Sequence, residues 1–159
     1  MLSINHKAVS LATHGMGILL LNTALVMTAN SAVAKNVAKN SDTPIQFAKG
    51  AISSTTIGKL SPKEDERWYH FQAESSQYVV INILPLAGTS ETANVGILHM
   101  PNGTHEGTKG GIVYQDCLPA TGEYRLRVAR NLMATQGKTA GYKIETMILP
   151  KYASESLCK

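Results

Sequence analysis

The chain has few aromatic and few charged residues, and it lacks the motifs of several common functional classes. Aromatic residues make up 6% and charged residues 16% of its 159 residues. No basic run is interleaved with aromatic residues, so the usual surface for nucleic-acid binding is excluded. No Gly-x-Ser-x-Gly, His-Glu-x-x-His or phosphate-binding glycine loop occurs, and no spaced set of ligands indicates a metal site. The sequence therefore predicts a protein that is not an enzyme and uses no cofactor.

The chain also lacks an apolar run long enough to cross a membrane. The apolar residues 15–28 fall short of the roughly 20 residues that a spanning helix needs, and Asn22 and Thr23 interrupt them. Lys7 precedes this segment without any acidic residue, and Ala-Val-Ala at residues 32–34 forms a small-x-small cleavage site. We predict a cleaved signal peptide over residues 1–34, a periplasmic location, and no membrane association after cleavage. A retained anchor is the alternative.

The exported part is predicted to be one small domain. Of the 15 Lys plus Arg residues only Lys7 lies before residue 35, so 14 basic residues face 11 acidic ones and the net charge is +3. The polar residues 35–43 are predicted to be a flexible leader. Residues 44–150 have the length of a single domain with one core, and residues 151–159 form a C-terminal tail.

Only two cysteines are present, Cys117 and Cys158. In an oxidising compartment, an even pair without CxxC spacing indicates a disulfide rather than a metal site. The bridge would tether the C-terminal tail and close a loop of about 40 residues, which is worth about 3 to 4 kcal/mol in the chain-entropy model. Two free thiols are the alternative, because Cys158 is the penultimate residue.

No segment after residue 34 keeps a helical period, and short alternating strands recur instead. Turn signals such as Pro-Asn-Gly at residues 101–103 separate them. This pattern predicts an all-β fold, a single small antiparallel β-sandwich of about eight short strands. The predicted strands cover residues 45–47, 51–57, 67–73, 78–84, 95–100, 112–114, 124–130 and 142–149.

The last two of these strands bracket a polar, basic loop. The first strand places Tyr124, Leu126 and Val128 on one face, and the second repeats the alternation from Tyr142 onward. The segment between them, residues 130–141, is too polar to be buried, so it is expected at the surface. Loops held by paired strands often carry binding residues. We therefore expect the binding site of this protein here.

The same region carries a resemblance to a known family. The motifs are L-P-x-T-G-x-Y-x-L-R-V from Leu118 and R-N-x-x-A-x-x-G-x-x-A-x-Y from Arg130. They resemble the C-terminal half of the bacterial periplasmic inhibitors of g-type lysozyme, which are secreted sandwiches similar to pre-peptidase C-terminal domains. Shorter matches extend the resemblance over residues 44–149. The sequence departs from the family at Thr121, where serine is usual, and at Thr135-Gln136, where the family has one or two basic residues.

The resemblance implies that this protein inserts a polar, basic loop into the substrate cleft of a lysozyme, most naturally a g-type enzyme. Arg130 would pair with a cleft carboxylate, and Thr121 would bond near the catalytic acid. These side chains are expected in one neighbourhood. The residues implied in lysozyme binding are Thr121, Gly122, Tyr124, Arg130, Asn131 and Lys138.

Other interpretations also fit the sequence. From the residues alone, a core-facing Tyr124 and a simple hairpin turn at Thr121-Gly122 are favoured over a binding role, and the resemblance reverses this preference. The protein could instead be a pre-peptidase-like accessory or carbohydrate-binding sandwich that does not bind lysozyme. An exposed ladder of aromatics would favour that function, with Trp68 and Tyr114 as candidates. Both a monomer and a homodimer fit the sequence.

Overall fold

The computed structural model describes residues 42–159, which form two packed β-sheets and one short helix. The predicted signal peptide and nearly all of the predicted leader lie outside these residues. No helix within residues 42–159 is long and apolar enough to cross a membrane. The elements are β1 (Thr43–Pro44), β2 (Ser53–Leu60), β3 (Glu66–Ala73), β4 (Tyr78–Pro85), β5 (Glu91–Thr92), β6 (Val95–His99), β7 (His105–Lys109), β8 (Gly111–Cys117), β9 (Gly122–Ala129), β10 (Ala140–Ile148) and α1 (Lys151–Ser154).

The predicted all-β sandwich is confirmed. One sheet has the strand order β1-β3-β9-β6-β7, and the other has the order β2-β10-β4-β8, with β5 attached to β10. Pairing is antiparallel except where β1 meets β3 and where β5 meets β10. The two strands that bracket the polar, basic loop, β9 and β10, therefore belong to different sheets. The loop that joins them crosses from one layer to the other.

One predicted strand is wrong, and two strands of the structure were not predicted. The expected strand at residues 45–47 is wrong, because the chain pairs with β3 two residues earlier, at Thr43 and Pro44. The strands β5 and β7 were not predicted. β7 has the sequence HEGTK and lies mostly exposed at a sheet edge, so no apolar alternation marks it. β5 is only two residues long.

The core lies between the sheets and follows the alternation of β9 and β10. Tyr124, Leu126 and Val128 of β9 are fully buried, and so are Tyr142 and Ile144 of β10. Burying a large apolar side chain contributes about 1.5 to 3 kcal/mol. The inward faces of these strands thus stabilise the sandwich, and their outward faces are left for polar residues.

The loops and turns of the sandwich gather at two opposite ends. At the first, here called the loop end, residues 130–139 approach the β2–β3 turn and β5, with backbone bonds from Arg130 to Asp65 and from Glu91 to Thr139. At the second, the tail end, residues 118–121 meet the β3–β4 turn through a bond from the Ser76 N–H to the Leu118 carbonyl. The eight residues of β9 separate the two ends by about 25 Å at roughly 3.3 Å per residue.

The predicted disulfide between Cys117 and Cys158 is confirmed, with Cα atoms 5.6 Å apart. It joins the end of β8 to the segment that follows α1. The buried hydroxyl of Ser154 accepts a hydrogen bond of 2.9 Å from the Tyr78 N–H. Covalent and polar contacts together hold the C-terminal tail against the tail end.

Candidate functional site

The residues predicted to bind lysozyme do not form one cluster. Thr121 and Gly122 lie at the tail end, whereas Arg130, Asn131 and Lys138 lie at the loop end. The expectation that Thr121 and Arg130 share one neighbourhood is wrong, because β9 runs the full height of the sandwich between them. Sequence proximity along an extended strand does not bring residues together.

At the tail end, Tyr124 is a core residue. Its side chain is fully buried and stacks on Phe71, with ring centroids 5.4 Å apart. Its hydroxyl donates a hydrogen bond of 2.6 Å to the Ala120 carbonyl, and burial raises its pKa. The core-facing interpretation of Tyr124 thus holds in the structure, and the tyrosine fixes the turn that precedes β9.

Thr121 and Gly122 shape that same turn. The Thr121 hydroxyl accepts a bond of 2.9 Å from the Ser75 N–H, which joins this turn to the β3–β4 turn. Gly122 has a φ of 150°, and a Cβ there would lie 3.0 Å from the Pro101 ring. Both the backbone conformation and the lack of space favour glycine at this position. Both residues therefore shape a turn, but the hairpin interpretation is wrong, because this turn leads from β8 in one sheet to β9 in the other.

At the loop end, the Arg130 side chain holds neighbouring segments together by hydrogen bonds inside the protein. We call a side chain with this role a brace. Only 4% of the residue is exposed, so the expectation that its guanidinium projects towards a partner is wrong. Its Nε donates to the Glu64 carbonyl at 2.8 Å, and its Nη2 donates to the Leu60 and Ser61 carbonyls at 2.9 and 2.6 Å. The guanidinium offers five N–H donors in a planar fork, and here the fork joins β2 to the β2–β3 turn.

The remaining nitrogen of Arg130 connects to the loop itself and to β5. Its Nη1 donates to the Lys138 carbonyl at 2.6 Å and lies 3.0 Å from Oε2 of Glu91. One side chain thus contacts the β2–β3 turn, β5 and the distal part of the loop. In this arrangement the charge of Arg130 is neutralised inside the protein.

Glu91 is the second brace, and the sequence did not single it out. Its Oε1 accepts bonds from the Gln136 and Lys138 N–H groups at 2.8 and 3.0 Å, while Oε2 accepts from the Thr135 hydroxyl. These bonds, led by that of Thr135, lower the pKa of the Glu91 carboxyl. An isolated acid in a polar segment carries no sequence signal for such a role. The departure from the family at Thr135-Gln136 coincides with the residues that bind Glu91.

The two braces leave an exposed apolar tip on the loop. Leu132 is 67% exposed and Met133 is 93% exposed. A tight turn presents them, in which the Asn131 side chain accepts a bond from the Met133 N–H at 3.3 Å and its carbonyl accepts one from the Ala134 N–H at 2.8 Å. Lys138 is exposed on the same loop. The apolar tip was not predicted from the sequence, because two apolar residues in a polar loop form no periodic pattern.

The aromatic ladder expected of a carbohydrate-binding sandwich is not formed by its two candidates. Tyr114 is buried, with 4% of its surface exposed. Trp68 lies on the outer face of its sheet, where the Arg125 guanidinium covers the ring at 4.7 Å and His99 packs beside it at 5.1 Å. No flat pair of exposed rings results from these residues.

Residues 42–159 contain no group of three or more His, Cys, Asp or Glu side chains placed to hold a metal ion. His99 and His105 face each other across β6 and β7, with ring centroids 5.7 Å apart. Burial, His105 and two nearby arginines lower the pKa of His99. The positive surroundings of this pair disfavour a bound cation.

The chain resembles solved structures, although no family model matches the sequence and no curated protein matches it. Aeromonas hydrophila PliG, a periplasmic lysozyme inhibitor of g-type lysozyme, is 22% identical with a TM-score of 0.53, over 68% of this chain and 96% of that chain. Salmonella Typhimurium PliG is 24% identical with a TM-score of 0.52, over 68% and 97%. A mutant of the Escherichia coli inhibitor is 25% identical with a TM-score of 0.51, over 68% and 97%. This chain therefore has the fold of these lysozyme inhibitors.

Proposed function

We propose that this protein is a periplasmic inhibitor of lysozyme, with g-type lysozyme as its target, and that the loop of residues 131–138 enters the substrate cleft of the enzyme. The observation that carries the proposal is the braced loop with an exposed apolar tip, on a fold shared with three such inhibitors. The inhibitor acts by occupying the cleft. It needs no cofactor and performs no turnover.

The braces favour binding because they hold the loop in one conformation before it meets a partner. Glu91 accepts hydrogen bonds from three loop residues. Arg130 adds a fourth bond to the loop by donating to the Lys138 carbonyl. A loop that is already ordered loses less conformational entropy on binding. The same internal bonds explain why Arg130, despite its place in the motif, is not the residue that contacts the enzyme.

The contact is assigned to the exposed side chains of the loop. Met133 and Leu132 present apolar surface of the kind that anchors protein interfaces. Lys138 supplies the positive charge that complements the acidic groups of a glycosidase cleft. Thr121 and Gly122 lie about 25 Å away along β9, so they contribute to the turn at the tail end and not to this contact.

The location is part of the proposal. The small-x-small site at residues 32–34 predicts export, and a formed disulfide between Cys117 and Cys158 is typical of an oxidising compartment. The periplasm meets both conditions, and an inhibitor placed there would protect the cell wall from lysozyme that crosses the outer membrane.

Titration of the purified protein against g-, c- and i-type lysozymes in a cell-wall lysis assay tests the proposal. Inhibition of the g-type enzyme is expected, and Met133→Ala and Lys138→Ala should each weaken it by about tenfold, which equals about 1.4 kcal/mol. Ile52→Ala and Lys49→Ala are matched controls, because they remove an exposed apolar side chain and an exposed charge from the segment before β2. This segment meets the last residue of β10, at the opposite end of that strand from the loop.

Two results would contradict this account. Equal losses of inhibition from Thr121→Ala and Met133→Ala would show that the tail end, or nonspecific attraction between the two proteins, contributes to binding. Failure to inhibit any lysozyme would overturn the function and favour an accessory sandwich module.

A further inference from the structure

The strand β2 has one side that faces no other strand. The Ile148 N–H donates a bond of 2.8 Å to the Ile52 carbonyl, and the same register continues along β2 and β10. In an antiparallel pair, residues that bond to the neighbouring strand alternate with residues whose backbone groups point the other way. The even-numbered residues of β2 therefore bond to β10. The free edge carries the N–H and carbonyl groups of Ser53, Thr55, Ile57 and Lys59, which have no backbone partner within residues 42–159.

This edge lacks the features that usually prevent an edge strand from pairing. Proline, charged residues, bulges, short length or a covering segment protect most edges. Within the described residues, β1 has only two residues and includes Pro44, β8 shifts register against β4 at Val113, and β7 lies against β8. In contrast, β2 pairs over eight residues without a shift or a proline. Its one charged residue, Lys59, is next to last.

The middle of the same edge exposes an apolar side chain. Ile57 lies on the outer face of β2 and is 62% exposed. Thr55 and Thr56 precede it, and β-branched residues of this kind favour strand pairing. An unprotected edge with an exposed isoleucine at its middle is suited to receive another strand.

We infer that β2 pairs with β2 of a second copy of this chain, antiparallel and around a two-fold axis at Thr56. In this register Thr55 lies opposite Ile57 of the second copy, and Ser53 lies opposite Lys59 of the second copy. The same surface serves both copies, as a two-fold interface requires. The four free residues of each copy form about eight backbone hydrogen bonds, a number within the range of typical protein interfaces.

The side chains of the edge complement themselves in this arrangement. The two Ile57 side chains become diagonal neighbours on one face, so each covers apolar surface of the other. The two Lys59 residues lie about 20 Å apart, at roughly 3.3 Å per residue, and like charges do not meet. The C-terminal end of β2 adjoins the loop end, where the Leu60 carbonyl accepts a bond from Arg130. Antiparallel pairing therefore places the two loop ends at opposite ends of the dimer, and both stay accessible.

Sedimentation equilibrium of the full mature protein, over a wide range of concentration, tests the association. The average mass should rise from that of a monomer towards that of a dimer. Ile57→Lys should weaken dimerisation at least tenfold, because it places two positive charges beside each other at the axis. Ile112→Lys is the matched control, because Ile112 is 52% exposed on the edge strand β8, and this variant should associate like the wild type.

Disulfide trapping tests the register. Thr56 faces its own copy as a pair without hydrogen bonds, with Cα atoms about 4.5 Å apart, which is within the range that a disulfide spans. Thr56→Cys should form a covalent dimer under mild oxidation, seen on a non-reducing gel. Lys59→Cys is the control from the same edge, because its copy lies too far away to be bridged.

Three outcomes would overturn the inference. A wild-type protein that stays monomeric at every concentration would remove the dimer. An equal loss of association in Ile57→Lys and Ile112→Lys would move the interface away from β2. Cross-linking of Lys59→Cys as fast as Thr56→Cys would exclude the two-fold register. Lysozyme is absent from these assays, so the results stand whether or not the protein inhibits that enzyme.

Discussion

Nη1 of Arg130 lies 3.0 Å from Oε2 of Glu91, and the two side chains are only 2% and 11% exposed. This ion pair joins the residue after β9 to β5, which is attached to the opposite sheet. Both partners also bond to backbone groups, Arg130 to four carbonyls and Glu91 to two N–H groups. The pair thus closes the loop end of the sandwich.

Arg130→Ala should destabilise the fold. The substitution leaves Glu91 without its partner and the Leu60 and Ser61 carbonyls without their charged donor, and a hydrogen bond to a charged group contributes about 1.5 to 3 kcal/mol. Chemical denaturation measures the free energy of unfolding. Arg127→Ala is the control: Arg127 is 32% exposed and pairs with Glu66, so its loss should cost less than about 1 kcal/mol. Equal, small effects of the two substitutions would contradict the bracing role.

The loop end should lose stability in acid. The pKa of Glu91 in the folded protein lies below the usual value of 4.5, chiefly because of the bond from Thr135. As pH falls below 4.5, the unfolded chain takes up a proton at this residue before the folded one does. The contribution of Glu91 to stability is therefore present above pH 4.5 and is lost as pH falls through the folded pKa.

NMR titration of the Glu91 carboxyl, together with exchange of the Gln136 and Lys138 amide protons, measures this effect. Glu91→Gln removes the ionisable group, so amide exchange in that variant should be faster at neutral pH and should lack the acid-dependent step. A Glu91 carboxyl that titrates at or above 4.5 would contradict the prediction.

The Cys117→Ser/Cys158→Ser double variant should be less stable than the wild type. The cysteines are 41 positions apart, and a loop of that length corresponds to about 3 to 4 kcal/mol in the chain-entropy model. Thermal and chemical unfolding of both proteins, with and without reductant, measures the difference. Reductant should shift the wild type and leave the double variant unchanged. A wild type that does not respond to complete reduction would show that α1 and Ser154 hold the tail unaided.

The mature protein should begin at Lys35. This prediction follows from the Ala-Val-Ala site at residues 32–34, which lies outside the residues that the structure describes. N-terminal sequencing of the protein from a periplasmic extract gives the answer directly. A chain that retains Met1 would contradict both the signal peptide and the periplasmic location.

The regular part of the fold could be predicted from the sequence because it depends on local periodicity. Alternation along residues 124–130 and 142–149 correctly identified the buried faces of β9 and β10, since successive side chains of a strand point to opposite faces. The cysteine pair could also be assigned, because two cysteines allow only one intramolecular bridge. Edge strands such as β7 escaped prediction because an exposed edge requires no apolar pattern.

The sequence by itself thus determined the sandwich, its inward faces and its single disulfide. Only the tertiary structure decided which of the candidate residues lie together. Arg130 and Thr121 belong to one continuous motif, yet an extended strand puts them at opposite ends of the molecule. The burial of Arg130 depends on carbonyls some 70 positions away in the chain, and Glu91 reaches the loop across 44 to 47 positions. Periodicity records which way a side chain faces along its own strand, whereas these partners meet only when the two sheets pack.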